Sequence, residues 1–262
     1  MMEVDMGAKR EHAIALYMEG IRDGRAREAV TQYTGDRYTQ HRTGVADGVE
    51  GFVAFFEDFL ERTPVRDIQV VRSLEDGQYV FLQAFQSLDD GATQWVTTDF
   101  FDTDSSDKLV EHWDVIAAYS TDTPSGHTSV DGSRALEDHE DTESNKKIVR
   151  DMVEGVLVAG GTATELEAFV DVDVTQHDTA LPDGFGPYAA HVAGEHRSLA
   201  YDEIVLLVGE GNFVATLSKA RLDAVPTAQV DLYRLSDRKI VERWSNAEPV
   251  PPPEEWANSG KF

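Results

Sequence analysis

The chain contains no cysteine in 262 residues. That absence removes disulfides, thiol nucleophiles and cysteine-ligated metals from the possible chemistries. Positive charge is also scarce: 23 Lys and Arg stand against 49 Asp and Glu, a formal net charge of −26, and only seven of the 23 are Lys. Such a field repels nucleic acid and anionic membrane, so neither is an expected partner. The acids are spread along the whole chain, which favours a solvated acidic surface of halophilic type over a patch that recruits one basic partner. There is no apolar run of membrane-spanning length and no basic-then-apolar leader, and the expectation is a soluble, cytoplasmic protein. Glycine-rich phosphate loops, a serine elbow and a basic stripe are missing as well.

What remains is enough apolar material, 41% of residues, for packed cores in one large or two ordinary domains. Residues 9–23 carry helical spacing in Ala13, Leu16, Tyr17 and Ile21, and a shorter helical segment follows around 25–33. Tyr38-Thr39-Gln40-His41 reads as a short strand or loop, and Asp47-Gly48 as a turn. Residues 51–60 read as a helix whose stripe of Phe52, Phe55, Phe56 and Phe59 is core material, closed by Pro64. The period then switches to two, with strands expected at 68–74, 79–87, 94–101 and 109–119 and hairpin turns at Asp76-Gly77 and Asp89-Asp90-Gly91. Helices first and an antiparallel sheet afterwards is an α+β arrangement.

Residues 120–143 are Ser/Thr/Asp/Glu/Gly-rich and read as an exposed linker. From 144 the same order restarts. Gln176-His177 follows Gln40-His41 by 136 residues, Asp183-Gly184 follows Asp47-Gly48 by 136, Gly211 follows Gly77 by 134, Asp231 follows Asp99 by 132 and Trp244 follows Trp113 by 131. Five correspondences in one order, drifting by a few residues, indicate a tandem duplication, with two fused copies standing in for a homodimer. The expected domains are 1–119 and 144–262, joined by 120–143.

The stretch Leu109-Val110-Glu111-His112-Trp113-Asp114-Val115-Ile116 puts Val110, His112, Asp114 and Ile116 on one strand face, two ionisable groups between two apolar ones. In the second copy Arg243 and Ser245 replace that His and Asp. This strand, with Tyr38-Thr39-Gln40-His41, Asp47-Gly48 and Thr98-Asp99-Phe100-Phe101, resembles the SnoaL-like polyketide cyclases of the nuclear transport factor 2-like superfamily. In the second copy Gly209–Val214, Val230–Arg234, Lys239–Glu242 and the tail Pro251–Trp256 resemble it too, so the likeness spans 10–119 and 144–262. The resemblance implies two tandem cone-shaped barrels, each a curved antiparallel sheet packed on helices, related by a pseudo-twofold. It also implies cofactor-free acid/base chemistry, such as ring closure by intramolecular aldol condensation. The first copy departs from the family in Arg42-Thr43, where Asn-Pro is usual, and in Asp102, where Arg is common.

Removing a proton next to a carbonyl needs a base within hydrogen-bond reach and a donor for the enolate oxygen. Asp114 is the expected base, raised in pKa by apolar walls; His112, about 6–7 Å away along the strand, orients it or donates to the oxyanion. Asp99, across a hairpin, and His41, from the helical side, are accessory, and the retention of Asp231 and His177 in the altered copy gives both an architectural role as well. Trp113 and Trp244 fall on the opposite face and read as packing. His12, His127, His139, His191 and His196 fall in surface segments. A metal site from His41, His112 and Asp99 matches no ligand spacing, so neither metal nor cofactor is expected. The expected function is acid/base catalysis on a small apolar carbonyl compound. The alternatives are a small-molecule-binding protein of the same fold and an acidic interaction module.

Overall fold

The computed structural model describes residues 7–262, and the duplication is visible in its topology. Helix α1 (Ala8–Ala15) runs on as a wider π-helical turn, Leu16–Arg22, followed by α2 (Ala26–Tyr33), β1 (Thr34–Gln40), α3 (Gly48–Arg62), β2 (Arg66–Asp76), β3 (Tyr79–Leu88), β4 (Thr93–Thr103) and β5 (Leu109–Ala118). The second half repeats this with α4 (Thr142–Met152), a π turn at Val153–Val158, α5 (Ala163–Leu166), β6 (Val170–His177), α6 (Phe185–Val192), β7 (Leu199–Glu210), β8 (Phe213–Leu222), β9 (Val225–Ser236) and β10 (Lys239–Pro249). The strand orders are β1-β5-β4-β3-β2 and β6-β10-β9-β8-β7, the same sheet twice. Helix α6 was not anticipated from the sequence.

Both sheets are mixed, which corrects the expected antiparallel arrangement. β1 lies parallel to β5 with Gln40 opposite His112, and β6 lies parallel to β10 with Gln176 opposite Arg243. The reason is connectivity: α3 and three further strands separate β1 from β5, long enough for a crossover that returns the chain in the same direction. The Asp-Gly pair fixes this corner in both halves. Asp47 Oδ1 accepts from Gln40 N at 2.8 Å and Asp183 Oδ1 accepts from Gln176 N at 2.8 Å. Gly48 and Gly184 then take φ of +80° and +97°, open to glycine without Cβ strain.

In the first half Ala13, Leu16, Tyr17, Ile21, Ala29 and Val30 from the helices pack on Ile68, Val80, Leu82, Ala84, Phe101 and Leu109 from the sheet. The aromatic stripe of α3 divides: Phe52 is core, whereas Phe56 and Phe59 are half-buried against it. The second core has the same build, with Val149, Met152 and Leu157 over Val174, Val214, Tyr233 and Ile240.

The chain divides into two compact units, Met1–Asp114 with Pro251–Phe262, and Val115–Val250. The tail thus groups with unit 1 rather than with 144–262. The 120–143 stretch is more than an exposed linker: Ser129 and Val130 are buried, and Glu137 and Asn212 exchange hydrogen bonds at 2.9 and 3.1 Å. A matched pair of bonds anchors the two arms. His177 Nδ1 meets Thr128 O at 2.9 Å, and His41 Nδ1 meets Gly260 O at 2.8 Å. Thr128 and Gly260 are 132 residues apart, as the repeats are. The arm after β5 therefore completes unit 2, and the arm after β10 completes unit 1. Among the described residues no helix is long and apolar enough to cross a membrane.

Candidate active site

The centre of unit 1 is Asp99, on β4, where alternation sets Trp95, Thr97, Asp99 and Phe101 on one face. Asp99 is 1% exposed. Its Oδ1 accepts from Tyr17 OH at 2.8 Å and faces His112 Nε2 at 2.9 Å, while its Oδ2 has no hydrogen-bond partner among the described residues. Burial is the largest influence on this carboxyl and pushes it above the usual aspartate range; the nearby Asp114 charge adds to that, and the His112 contact works against it. Tyr17 sits in the π turn after α1, a geometry that often marks functional positions. Its phenol also meets Thr97 Oγ1 at 3.0 Å, and burial first, then the Asp99 charge, keep it protonated far above neutrality. His112 is held from both sides: Nδ1 faces Gln40 Oε1 at 2.9 Å, and the ring stacks on Phe101 at 4.7 Å between centroids. The β1–β5 register that brings Gln40 opposite His112 is what makes the Gln contact possible.

Asp114 shares the face but not the expected chemistry. Burial alone would raise its carboxyl. The Lys261 and Arg42 charges, with His112, outweigh burial and hold it below the usual aspartate range. Lys261 Nζ donates to Asp114 Oδ1 at 3.2 Å, and Arg42 Nη1 lies 3.6 Å from Oδ2. The expected raised pKa at Asp114 is therefore corrected: two cations neutralise it, and the raised carboxyl is Asp99. His41 is not brought to this cluster. It lies on the opposite face of β5, with Nε2 on Glu111 Oε1 at 2.8 Å and its ring stacked on Trp113 at 4.6 Å. His177 repeats this on Glu242 at 2.8 Å and on Trp244 at 4.5 Å, so this His-Glu-Trp set is common to both units.

Unit 2 shows what the same position becomes without the histidine. Arg243 is fully buried; its Nε and Nη2 reach Asp231 Oδ1 at 2.9 and 2.7 Å, and Nη1 reaches Gln176 Oε1 and Asp178 Oδ2 at 3.2 Å each. Tyr201 OH donates to Asp231 Oδ2 at 2.7 Å and Gln229 Nε2 to Oδ1 at 3.0 Å. Tyr188 lies 4.9 Å beneath the guanidinium, a cation–π contact. Both oxygens of Asp231 are occupied, whereas Asp99 keeps one spare.

An aromatic wall borders the unit 1 site. Ring contacts run from Tyr38 to Phe52 (6.1 Å), Phe52 to Phe56 (4.3 Å), Phe56 to Phe59 (6.0 Å) and Phe59 to Trp95 (6.5 Å). Trp95 Nε1 is a buried N–H with no hydrogen-bond partner among the described residues. Tyr17, Gln40, Arg42 and Lys261 are the site residues that the sequence did not single out as such. Gln40 sat in plain view inside the Gln-His motif. Tyr17 looked like core, and nothing in the local pattern of the tail marks Lys261.

Fold and sites together define a class: a tandem α+β protein with one carboxylate–imidazole site and one site closed by arginine. No family model and no curated protein matches the sequence. Solved structures do match. One is a protein of Jannaschia sp. CCS1 provisionally named a SnoaL-like polyketide cyclase, at 18% identity over 44% of this chain and 90% of that one, TM-score 0.37. Another is wild-type IdmH of Streptomyces antibioticus, provisionally named a polyketide cyclase, at 15% over 41% and 91%, TM-score 0.36. A third is a Kribbella flavida DSM 17836 protein provisionally named a ketosteroid isomerase, at 16% over 43% and 85%, TM-score 0.36. Each match spans about two-fifths of this chain.

Proposed function

We propose that unit 1 is an acid/base catalyst of SnoaL-like type, closing or isomerising a small, largely apolar carbonyl compound by way of its enolate. Asp99 is the base. Its spare Oδ2 takes the proton alpha to the carbonyl, while Tyr17 OH and His112 Nε2 hold Oδ1 and fix the carboxylate in place. The new enolate carbon attacks a second carbonyl of the same molecule, a carbon–carbon bond forms, and the proton returns from Asp99 to the alkoxide. Trp95 Nε1 offers a buried N–H for a substrate oxygen, and the aromatic wall favours an apolar skeleton. Asp114, neutralised by Lys261 and Arg42, shapes the field at His112 and Asp99 and does not take the proton. Unit 2, with its carboxylate fully bonded, is the non-catalytic half.

One observation carries this reading: a buried carboxylate with raised pKa and an unused oxygen in unit 1, against a fully used one at the matching place in unit 2. The test is exchange of alpha protons for deuterium in D2O, followed by proton NMR on a panel of apolar cyclic ketones and β-dicarbonyls. Wild type should accelerate exchange on at least one member, and Asp99→Asn should lose at least about 100-fold, the usual scale for removing a general base. Equal rates in the two proteins would refute the assignment.

A further inference from the structure

Unit 2 holds a second cluster that the proposed chemistry does not use. We propose that His127, His177 and Asp131 form a binding site for one divalent transition cation of the zinc type. One ligand-capable atom from each residue lies within 4.8 Å of those of the other two. His177 ends β6, and His127 and Asp131 come from the arm that precedes α4. Two imidazoles and one carboxylate suit zinc or its first-row neighbours, not calcium or magnesium, which take oxygen ligands.

The surroundings of the two rings fit this use. Metal-bound histidines ordinarily give their second nitrogen to a carboxylate, which fixes the ring and strengthens it as a ligand. Here His177 Nε2 rests on Glu242 Oε1 at 2.8 Å, and His127 Nε2 lies 3.3 Å from Asp183 Oδ2. The nitrogen left on the cluster side is then Nδ1 of each. His177 Nδ1 already lies 2.6 Å from Asp131 Oδ1 and 2.9 Å from Thr128 O, and the other Asp131 oxygen is pinned by Thr128 N at 2.9 Å. A cation would sit between His177 Nδ1 and the Asp131 carboxylate.

Glycine at position 132 makes the approach possible. Its φ is +84°, and a Cβ there would stand 2.7 Å from His177 Nε2 and collide with Glu242 Oε1. The backbone beside Asp131 is thereby pressed onto the imidazole. Access is graded: the His177 side chain is 1% exposed, whereas those of His127 and Asp131 are 40% and 44% exposed. A cation therefore enters from solvent, and water completes its shell. Unit 1 serves as the internal contrast. His41 has the same glutamate and tryptophan, but at the repeat spacing of 132 the place of His127 is taken by Ser259. When occupied, the site would clamp the 127–132 arm to the end of β6.

Zinc titration by calorimetry in excess MgCl2 tests this, the magnesium occupying the diffuse acidic surface. Wild type should bind one Zn2+ per chain, and its melting temperature should rise with ZnCl2. His127→Ala, at a half-exposed position of the arm, should fold and melt as wild type does without zinc, and Asp131→Asn, which also weakens the 2.6 Å contact to buried His177, should fold with a somewhat lower zinc-free melting temperature. Both should bind Zn2+ at least tenfold more weakly and lose the zinc-dependent rise. Absence of saturable zinc binding over the magnesium background, or equal binding in His127→Ala, would overturn the site.

Discussion

Replacing Lys261 by Met removes the cation that lies 3.2 Å from Asp114 while keeping most of its apolar stem. Both side chains are buried, 3% and 8% exposed. At an effective dielectric near 20 the lost attraction is about 5 kcal/mol, and breaking a buried pair by removing one partner costs about 3–5 kcal/mol in practice. Arg42 stays at 3.6 Å and is 28% exposed, so it retains part of the compensation. The expected net loss is about 2–3 kcal/mol, or a drop of about 5–10 °C in melting temperature for a chain of this size. The pH dependence has a definite sign. The Asp114 carboxyl is held below its unfolded value, so its contribution is present above that value and is lost as pH falls through the folded one. Urea melts of wild type and Lys261→Met should differ most at neutral pH and converge in acid, and adding Asp114→Asn should recover most of the loss. A deficit under about 0.5 kcal/mol, on the scale of an ordinary surface change, would refute the reasoning. So would a deficit that does not change between neutral pH and acid.

Asp99→Asn should raise the melting temperature at neutral pH while removing activity. A carboxyl whose folded pKa is raised loses stability as pH climbs from its unfolded value through the folded one, and the amide is spared that loss; scanning calorimetry at acid and neutral pH reads it. Arg243→Met should cost unit 2 about 3–5 kcal/mol by stranding the buried Asp231 charge, with Asp231→Asn restoring much of it, as denaturant melts would show. With a net charge of −26, the melting temperature should climb between low and molar KCl, as screening shortens from about 10 Å to 3 Å.

The doubled fold was legible because it rests on local signals that survive divergence. The Asp-Gly pairs mark the corner after β1 and β6, where Asp47 and Asp183 each bind a strand amide. The His-Trp and Arg-Trp strands mark β5 and β10. The parallel partner of those strands was not legible, since 34–40 reads as a fragment until the crossover brings it beside β5. Alternation correctly set His112 and Asp114 on one face and Trp113 on the other. It could not say which carboxylate is neutralised, because Lys261 arrives from 147 residues away. Tyr17 was hidden for a different reason: a buried tyrosine on a helix looks like core until its hydroxyl is seen on Asp99. His41 was misassigned to the cluster because a residue at the end of a strand can turn to either face, and stacking on Trp113 decided it.

The most direct measurement is a carbon-13 titration of the Asp99 and Asp114 carboxyls in the intact chain, with Asp99→Asn and Asp114→Asn as assignment controls. Asp99 should titrate above the ordinary aspartate range and Asp114 below it. The reverse order would place the live base at Asp114 and contradict the division of labour drawn between the two.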